Sequence, residues 1–94
     1  MKNFFYRVNF GDDLLSVCQK LNAPPLAIIK LNNLTCEIEE GDILEIISYP
    51  EKQKYVVMPF DSLNSIAKKL KTDIEIIKRD NCVGEVFFGL TLFV

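Results

Sequence analysis

The sequence predicts an α+β protein made of two tandem βααβ modules, each a two-stranded antiparallel sheet packed on a helix pair. The first observation behind this is an internal repeat. YRVNFGDDLLSVCQKL at residues 6–21 lines up with YVVMPFDSLNSIAKKL at residues 55–70, at an offset of 49. Beyond Pro24 and Pro25 the offset reads as 48, through Ile28/Ile76, Ile29/Ile77, Lys30/Lys78, Asn33/Asn81, Glu37/Glu85, Gly41/Gly89 and Leu44/Leu92. The second observation is that each copy changes from alternating to helical apolar spacing. The third is size: 94 residues, 49% of them apolar, suit a globular chain holding two modules of about 45 residues, each near the lower limit for an independent core.

Within each copy the elements follow in the same order. Tyr6 and Val8, like Tyr55 and Val57, alternate with polar or exposed positions ahead of a turn and read as a short half-buried strand. Leu14, Val17, Cys18 and Leu21 then recur at i, i+3, i+4 and i+7, as do Leu63, Ile66, Ala67 and Leu70. Each set is one face of a two-turn helix. Asp12 and Asp61 precede these stripes and are expected to cap them. A second helix follows, opened by Pro25 at its first position in copy one and by a Thr72/Glu75 capping box in copy two. Asn33 and Asn81 suit the left-handed residue that ends it. A loop containing Gly41 or Gly89 leads to a last strand near Leu44–Ile46 or Leu92–Val94. A lone hairpin is barely stable, so each strand pair must lie on its helices and share one core. The expected division is residues 3–48 for module one, 49–54 for a polar linker containing Pro50, and 55–94 for a divergent module two.

Composition narrows the function. The net charge is −2, with −3 on residues 1–48 and +1 on residues 49–94, and the acidic excess gathers at Glu37, Glu39, Glu40, Asp42 and Glu45. Lys68, Lys69, Lys71, Lys78 and Arg79 do not form the basic stripe that phosphate neutralisation needs, so no nucleic-acid partner is expected. Arg7 interrupts the aromatic run Phe4–Tyr6 well short of a signal-peptide core, and no stretch approaches the ~20 apolar residues of a membrane span. Neither an export signal nor a membrane anchor is expected in this segment. The cysteines, Cys18, Cys36 and Cys82, are odd in number with no C-x-x-C spacing, and histidine is absent. Neither a metal site nor a disulfide framework is expected, and no cofactor. Cys18 reads as a small core residue, with Cys36 and Cys82 more exposed.

The chain resembles the LysM family, small βααβ modules that bind N-acetylglucosamine polymers such as peptidoglycan and chitin. Copy one carries the family pattern at Tyr6, Val8, Gly11, Asp12, Leu14, Val17, Leu26, Asn32, Ile38, Gly41, Leu44 and Ile46; copy two carries it at Tyr55, Val57, Asp61, Ser62, Leu63, Ile66, Ala67, Ile74, Val86, Gly89, Leu92 and Val94. Most of these positions are apolar and serve the core whether or not a sugar binds. The resemblance implies a glycan groove between the first strand–helix turn and the loop after the second helix. That marks Gly11, Asp12, Asp13 and Leu14 with Leu34, Thr35 and Ile38 in copy one, and Asp61, Ser62 and Leu63 with Cys82, Val83 and Val86 in copy two.

Departures from the pattern fall in that groove. Asp13 replaces a hydroxyl residue, Phe60 replaces the turn glycine beside Pro59, and at an offset of 48 Asp80 stands opposite Asn32. These changes point to copy one as the sugar site. Phe60 is expected to fill the groove mouth or to pack on a neighbour, the turn being rebuilt around Pro59.

No enzyme is expected, because nucleophile–base pairs built on histidine and Gly-rich phosphate loops are both missing. Adjacent carboxylates such as Asp12 and Asp13 do not flank a scissile glycosidic bond. The leading expectation is therefore non-catalytic binding of N-acetylglucosamine-containing glycans, with a cell-wall or spore-envelope location implied by the family. The alternative is a degenerate module for protein interaction or assembly in a bacterial spore coat or cell envelope. Its partner surface would be Met58, Pro59, Phe60, Phe87 and Phe88, which otherwise would be a contact between the modules.

Overall fold

The computed structural model describes all 94 residues, Met1–Val94. The chain runs β1 (Lys2–Arg7), α1 (Leu14–Leu21), α2 (Pro25–Asn32), β2 (Ile43–Ser48), β3 (Lys54–Val56), α3 (Leu63–Leu70), α4 (Ile74–Asn81) and β4 (Thr91–Phe93). This is strand, helix, helix, strand, twice. β1 pairs antiparallel with β2, placing Tyr6 opposite Leu44, and β3 pairs antiparallel with β4, placing Tyr55 opposite Leu92. The fold is the α+β arrangement that the repeat predicts. β1 starts earlier than Tyr6 because the alternation already begins at Phe4, which packs on the core, while Phe5 faces solvent. β3 starts at Lys54, inside the segment read as a linker.

The helix ends differ from expectation in four places. Asp13, not Asp12, caps α1: its Oδ1 accepts the Ser16 N–H at 2.8 Å while the Asp13 N–H reaches Ser16 Oγ at 3.1 Å. Ser62, not Asp61, does the same for α3 with Ser65. α4 opens on Asp73, whose Oδ1 accepts the Glu75 N–H at 2.8 Å, rather than on a Thr72/Glu75 box; Asp73 is one residue nearer the first turn. Asn33 is the left-handed terminal residue of α2, but in α4 that place belongs to Cys82 (φ 53°).

Asn81 is instead buried, and this relocates the deletion between the repeats. Asn81 Nδ2 donates to Ile77 O and Phe93 O, and its Oδ1 accepts the Phe93 N–H. Asn32 makes the same three bonds to Ile28 and Glu45. Asn32 therefore corresponds to Asn81, not Asp80, and Ile28 corresponds to Ile77, both fully buried. The offset stays at 49 through both helices and drops to 48 only in the loop before the last strand.

Each copy has its own core. Val8, Val17, Cys18, Ala23, Ile28, Ile38, Leu44 and Ile46 form the first. Val57, Ile66, Ile77, Val83, Leu90 and Leu92 form the second. The two halves also pack on one another. Leu26 of α2 lies against the second core, which explains why α2 is apolar on more than one face. Lys54 Nζ at the start of β3 donates to Gln19 O of α1 at 3.0 Å, and the linker is tied to copy one by the Tyr49 N–H, which donates to Asn22 O at 2.8 Å. The expected contact between halves through Met58, Phe60 and Phe88 is not formed: all three are exposed. No helix is long and apolar enough to cross a membrane.

Candidate functional site

The strand–helix turn of each copy is held by the same three side chains. Tyr6 Oη donates to Asp12 Oδ2 at 2.7 Å, Lys20 Nζ donates to Tyr6 Oη at 2.7 Å, and Asp12 Oδ2 also accepts the Asn9 N–H at 3.0 Å. In copy two, Tyr55 bonds Asp61, Lys69 bonds Tyr55, and Asp61 accepts the Met58 N–H. The tyrosine hydroxyl, then the backbone N–H and the lysine charge, hold both carboxyls below the usual carboxylate range. The same hydroxyls are the main cause of the raised pKa of Lys20 and Lys69. Asp12 and Asp61 thus tie strand to helix, leaving capping to the next residue. Both turns require a left-handed residue, Gly11 at φ 86° and Phe60 at φ 70°. The turn has not been rebuilt around Pro59: the Asp61 N–H still bonds Met58 O at 3.1 Å, as the Asp12 N–H bonds Asn9 O.

This turn places the N-terminus of the first helix beside the loop that follows the second, and a concavity opens between them. In copy one it measures about 310 Å³ and is lined by Leu14, Ile29, Leu34, Thr35, Cys36 and Glu37. Of the residues marked in the sequence, Leu14, Leu34 and Thr35 line it. Gly11, Asp12 and Asp13 stand in the turn that sets Leu14, and Ile38 lies in the core. Ile29, Cys36 and Glu37 line it as well, beyond the residues the sequence predicts. Glu37 Oε1 accepts the Leu14 N–H at 2.9 Å and the Ile38 N–H at 3.0 Å, so one carboxylate bridges the two walls. Its only trace in the sequence is the Glu37/Glu85 match, lost among neighbouring acids.

In copy two the concavity is about 270 Å³, lined by Asp61, Ser62, Leu63, Gly84, Glu85 and Val86. Asp61, Ser62, Leu63 and Val86 are residues the sequence predicts there; Gly84 and Glu85 are additions from the structure. Val83 is buried in the second core. Cys82 faces elsewhere, onto a hollow it shares with Tyr49, Arg79 and Asp80. Glu85 lines the concavity without the bridge that Glu37 makes. Phe60 neither fills the mouth nor packs on a neighbour, since its side chain is fully exposed. No group of three or more cysteine and carboxylate side chains is placed to hold a metal ion.

The LysM domain profile matches residues 6–47 and 55–86, one match on each repeat. The chain belongs to the LysM domain family. LysM modules bind glycans containing N-acetylglucosamine and are binding modules rather than catalytic ones. No curated protein matches the chain. Among solved structures, it is similar to the Bacillus cereus spore cortex-lytic enzyme SleL at 23% identity and a TM-score of 0.48. That likeness covers the whole of this chain and 22% of the length of SleL.

Proposed function

We propose that this LysM chain is a non-catalytic binder of N-acetylglucosamine-containing glycans of the peptidoglycan or chitin type. The observation that carries the reading is that both repeats build the same concavity from the same elements, a helix N-terminus facing the loop after the second helix. In copy one the Glu37 bridge to Leu14 and Ile38 fixes the spacing of the walls before a ligand arrives, and such preorganisation lowers the cost of binding. The two reasons for favouring copy one over copy two in the sequence do not survive, because Asn81 replaces Asp80 as the partner of Asn32 and Phe60 stands clear of the groove. Glu37 and the more apolar lining favour copy one instead.

An amide NMR titration of the whole chain with chitin and peptidoglycan oligomers tests this. Shifts are expected first at Leu14 and residues 34–37, and more weakly at residues 61–63 and 84–86. Two weak sites on one chain would gain by effective concentration on a long polymer. Silence at both sets with millimolar ligand would refute the reading, and release of shortened oligomers during the titration would refute its non-catalytic part.

A second reading, an assembly module of a bacterial cell or spore envelope, is supported by one specific feature. At the tip where copy one carries Asn9, Gly11 and Glu40, copy two carries Met58, Phe60 and Phe88, all exposed, with Phe60 in a backbone conformation unfavourable to it. A strained, fully exposed aromatic contributes nothing to the fold. This reading takes over if the glycan titration is silent and the chain self-associates in a way that Phe60→Ser abolishes.

A further inference from the structure

A second hollow, of about 270 Å³, lies along the seam between the two halves and shares Leu14 and Ile29 with the first groove. One wall is Leu15, Pro25 and Leu26 of copy one, and the other is Phe87 and Leu90 of copy two. We propose that a glycan seated in the first groove continues across Leu14 and Ile29 into this seam, where the half-exposed ring of Phe87 stacks on a further sugar residue. The proposal rests on the reading of the first groove as a glycan site.

Three observations support this occupant over others. At about 310 and 270 Å³, the hollows alone sit at and just below the bottom of the ~300–1,000 Å³ range of ligand pockets, whereas together they suit an extended chain. The wall offers apolar side chains and one aromatic side chain, beside the polar Gln19 and Thr91. That mixture suits a pyranose, which has an apolar face and polar edges. The continuity is also one-sided: the seam shares Leu14 and Ile29 with the first groove and no residue with the second, so only the first groove is lengthened by its neighbour. Copy two then serves as part of the binding surface of copy one.

The test uses the whole chain and N-acetylglucosamine oligomers of increasing length. Trimer and hexamer should both shift Leu14 and residues 34–37, but only the hexamer should shift residues 87–91. Phe87→Ala should weaken the hexamer by about fivefold and leave the trimer within about twofold, as expected for loss of one stacking contact, and Phe87→Trp should restore the hexamer. Phe87 is 58% exposed, so its truncation spares the core; Leu15→Ser, on the opposite wall, should give the same split. Shifts at residues 34–37 with residues 87–91 silent at every length, and no effect of Phe87→Ala, would overturn the seam and leave the first groove standing. No response of either set to any oligomer would overturn both. Shifts at residues 87–91 that follow protein concentration rather than glycan would assign the seam to a second copy of the chain and also overturn the proposal.

Discussion

Asn81→Ala should be among the most damaging single substitutions in this chain. Gln53 and Val94 exchange both of their backbone hydrogen bonds at 3.0 Å, so the next pair, Lys54 and Phe93, falls between ladder bonds and the Phe93 N–H and C=O turn outward. Asn81 meets both, standing in for a third strand at the edge of the sheet. Asn81 and Phe93 are each 1% exposed, so water cannot replace the lost amide. Two orphaned backbone groups at ~1–3 kcal/mol each give an expected loss of about 2–6 kcal/mol. A chain of this length is expected to have about 5–14 kcal/mol in all. In urea unfolding followed by circular dichroism, that loss should lower the midpoint by about 1–3 M at an m-value of ~2 kcal/mol/M. Asn32→Ala makes the same deletion beside Glu45, which is half-buried, so water can partly compensate and the cost should be about 1 kcal/mol. Asp80→Ala, which loses ion pairs to Lys52 and Arg79, should stay within about 1 kcal/mol. A loss below about 1 kcal/mol for Asn81→Ala, or one no larger than that of Asn32→Ala, would refute the edge-strand argument.

The other predictions concern the thiols, the turn clamps and Phe60. Cys36 and Cys82 are exposed and should react with a thiol reagent under native conditions; Cys18, whose thiol burial pushes up to about 12, should react only on unfolding, and bound glycan should slow Cys36 alone. In the turn clamps, Asp12 and Asp61 have folded pKa values below their unfolded ones. Their contribution is complete above the unfolded value, near ~3.9, and is lost as pH falls through the lower folded values. Tyr6→Phe with Tyr55→Phe should therefore flatten the stability–pH curve below about pH 4, and an unchanged slope in acid unfolding would count against the clamp. Phe60→Gly should be tolerated and gain up to about 1 kcal/mol, the relief of a left-handed residue set against the entropy of glycine. Because Phe60 stands outside the groove, the change should create no new glycan response in copy two.

What the sequence disclosed, and what it hid, follows from the range of the forces involved. Helix periodicity is local: Leu14, Val17, Cys18 and Leu21 announce α1 because a two-turn helix must turn those positions to one side. Caps are nearly as local but not decided locally, since Asp12 and Asp13 are both suited to the N-cap and only Tyr6, reaching across from β1, decides between them by taking Asp12. Once that bond is made, Asp13 is left for the helix, with Ser16 completing the box. The deletion between repeats was ambiguous for a similar reason. Ile28 aligns with an isoleucine at either offset, and Asn81 faces an asparagine at both Asn32 and Asn33. Burial breaks the tie, for Ile77 is enclosed while Ile76 is exposed. The site suffered most. Glu37 reads as one acid among five, and its role arises only when folding brings it beside the free N–H of Leu14, 23 residues away. Leu26 reads as a member of its own helix stripe, yet it packs on the core of the other repeat. A repeat in sequence invites the view of two independent modules, but a helix of eight residues with apolar positions on two sides needs two partners. In this chain the second partner is the other copy, so the seam that α2 creates is a property of the pair and of neither repeat alone.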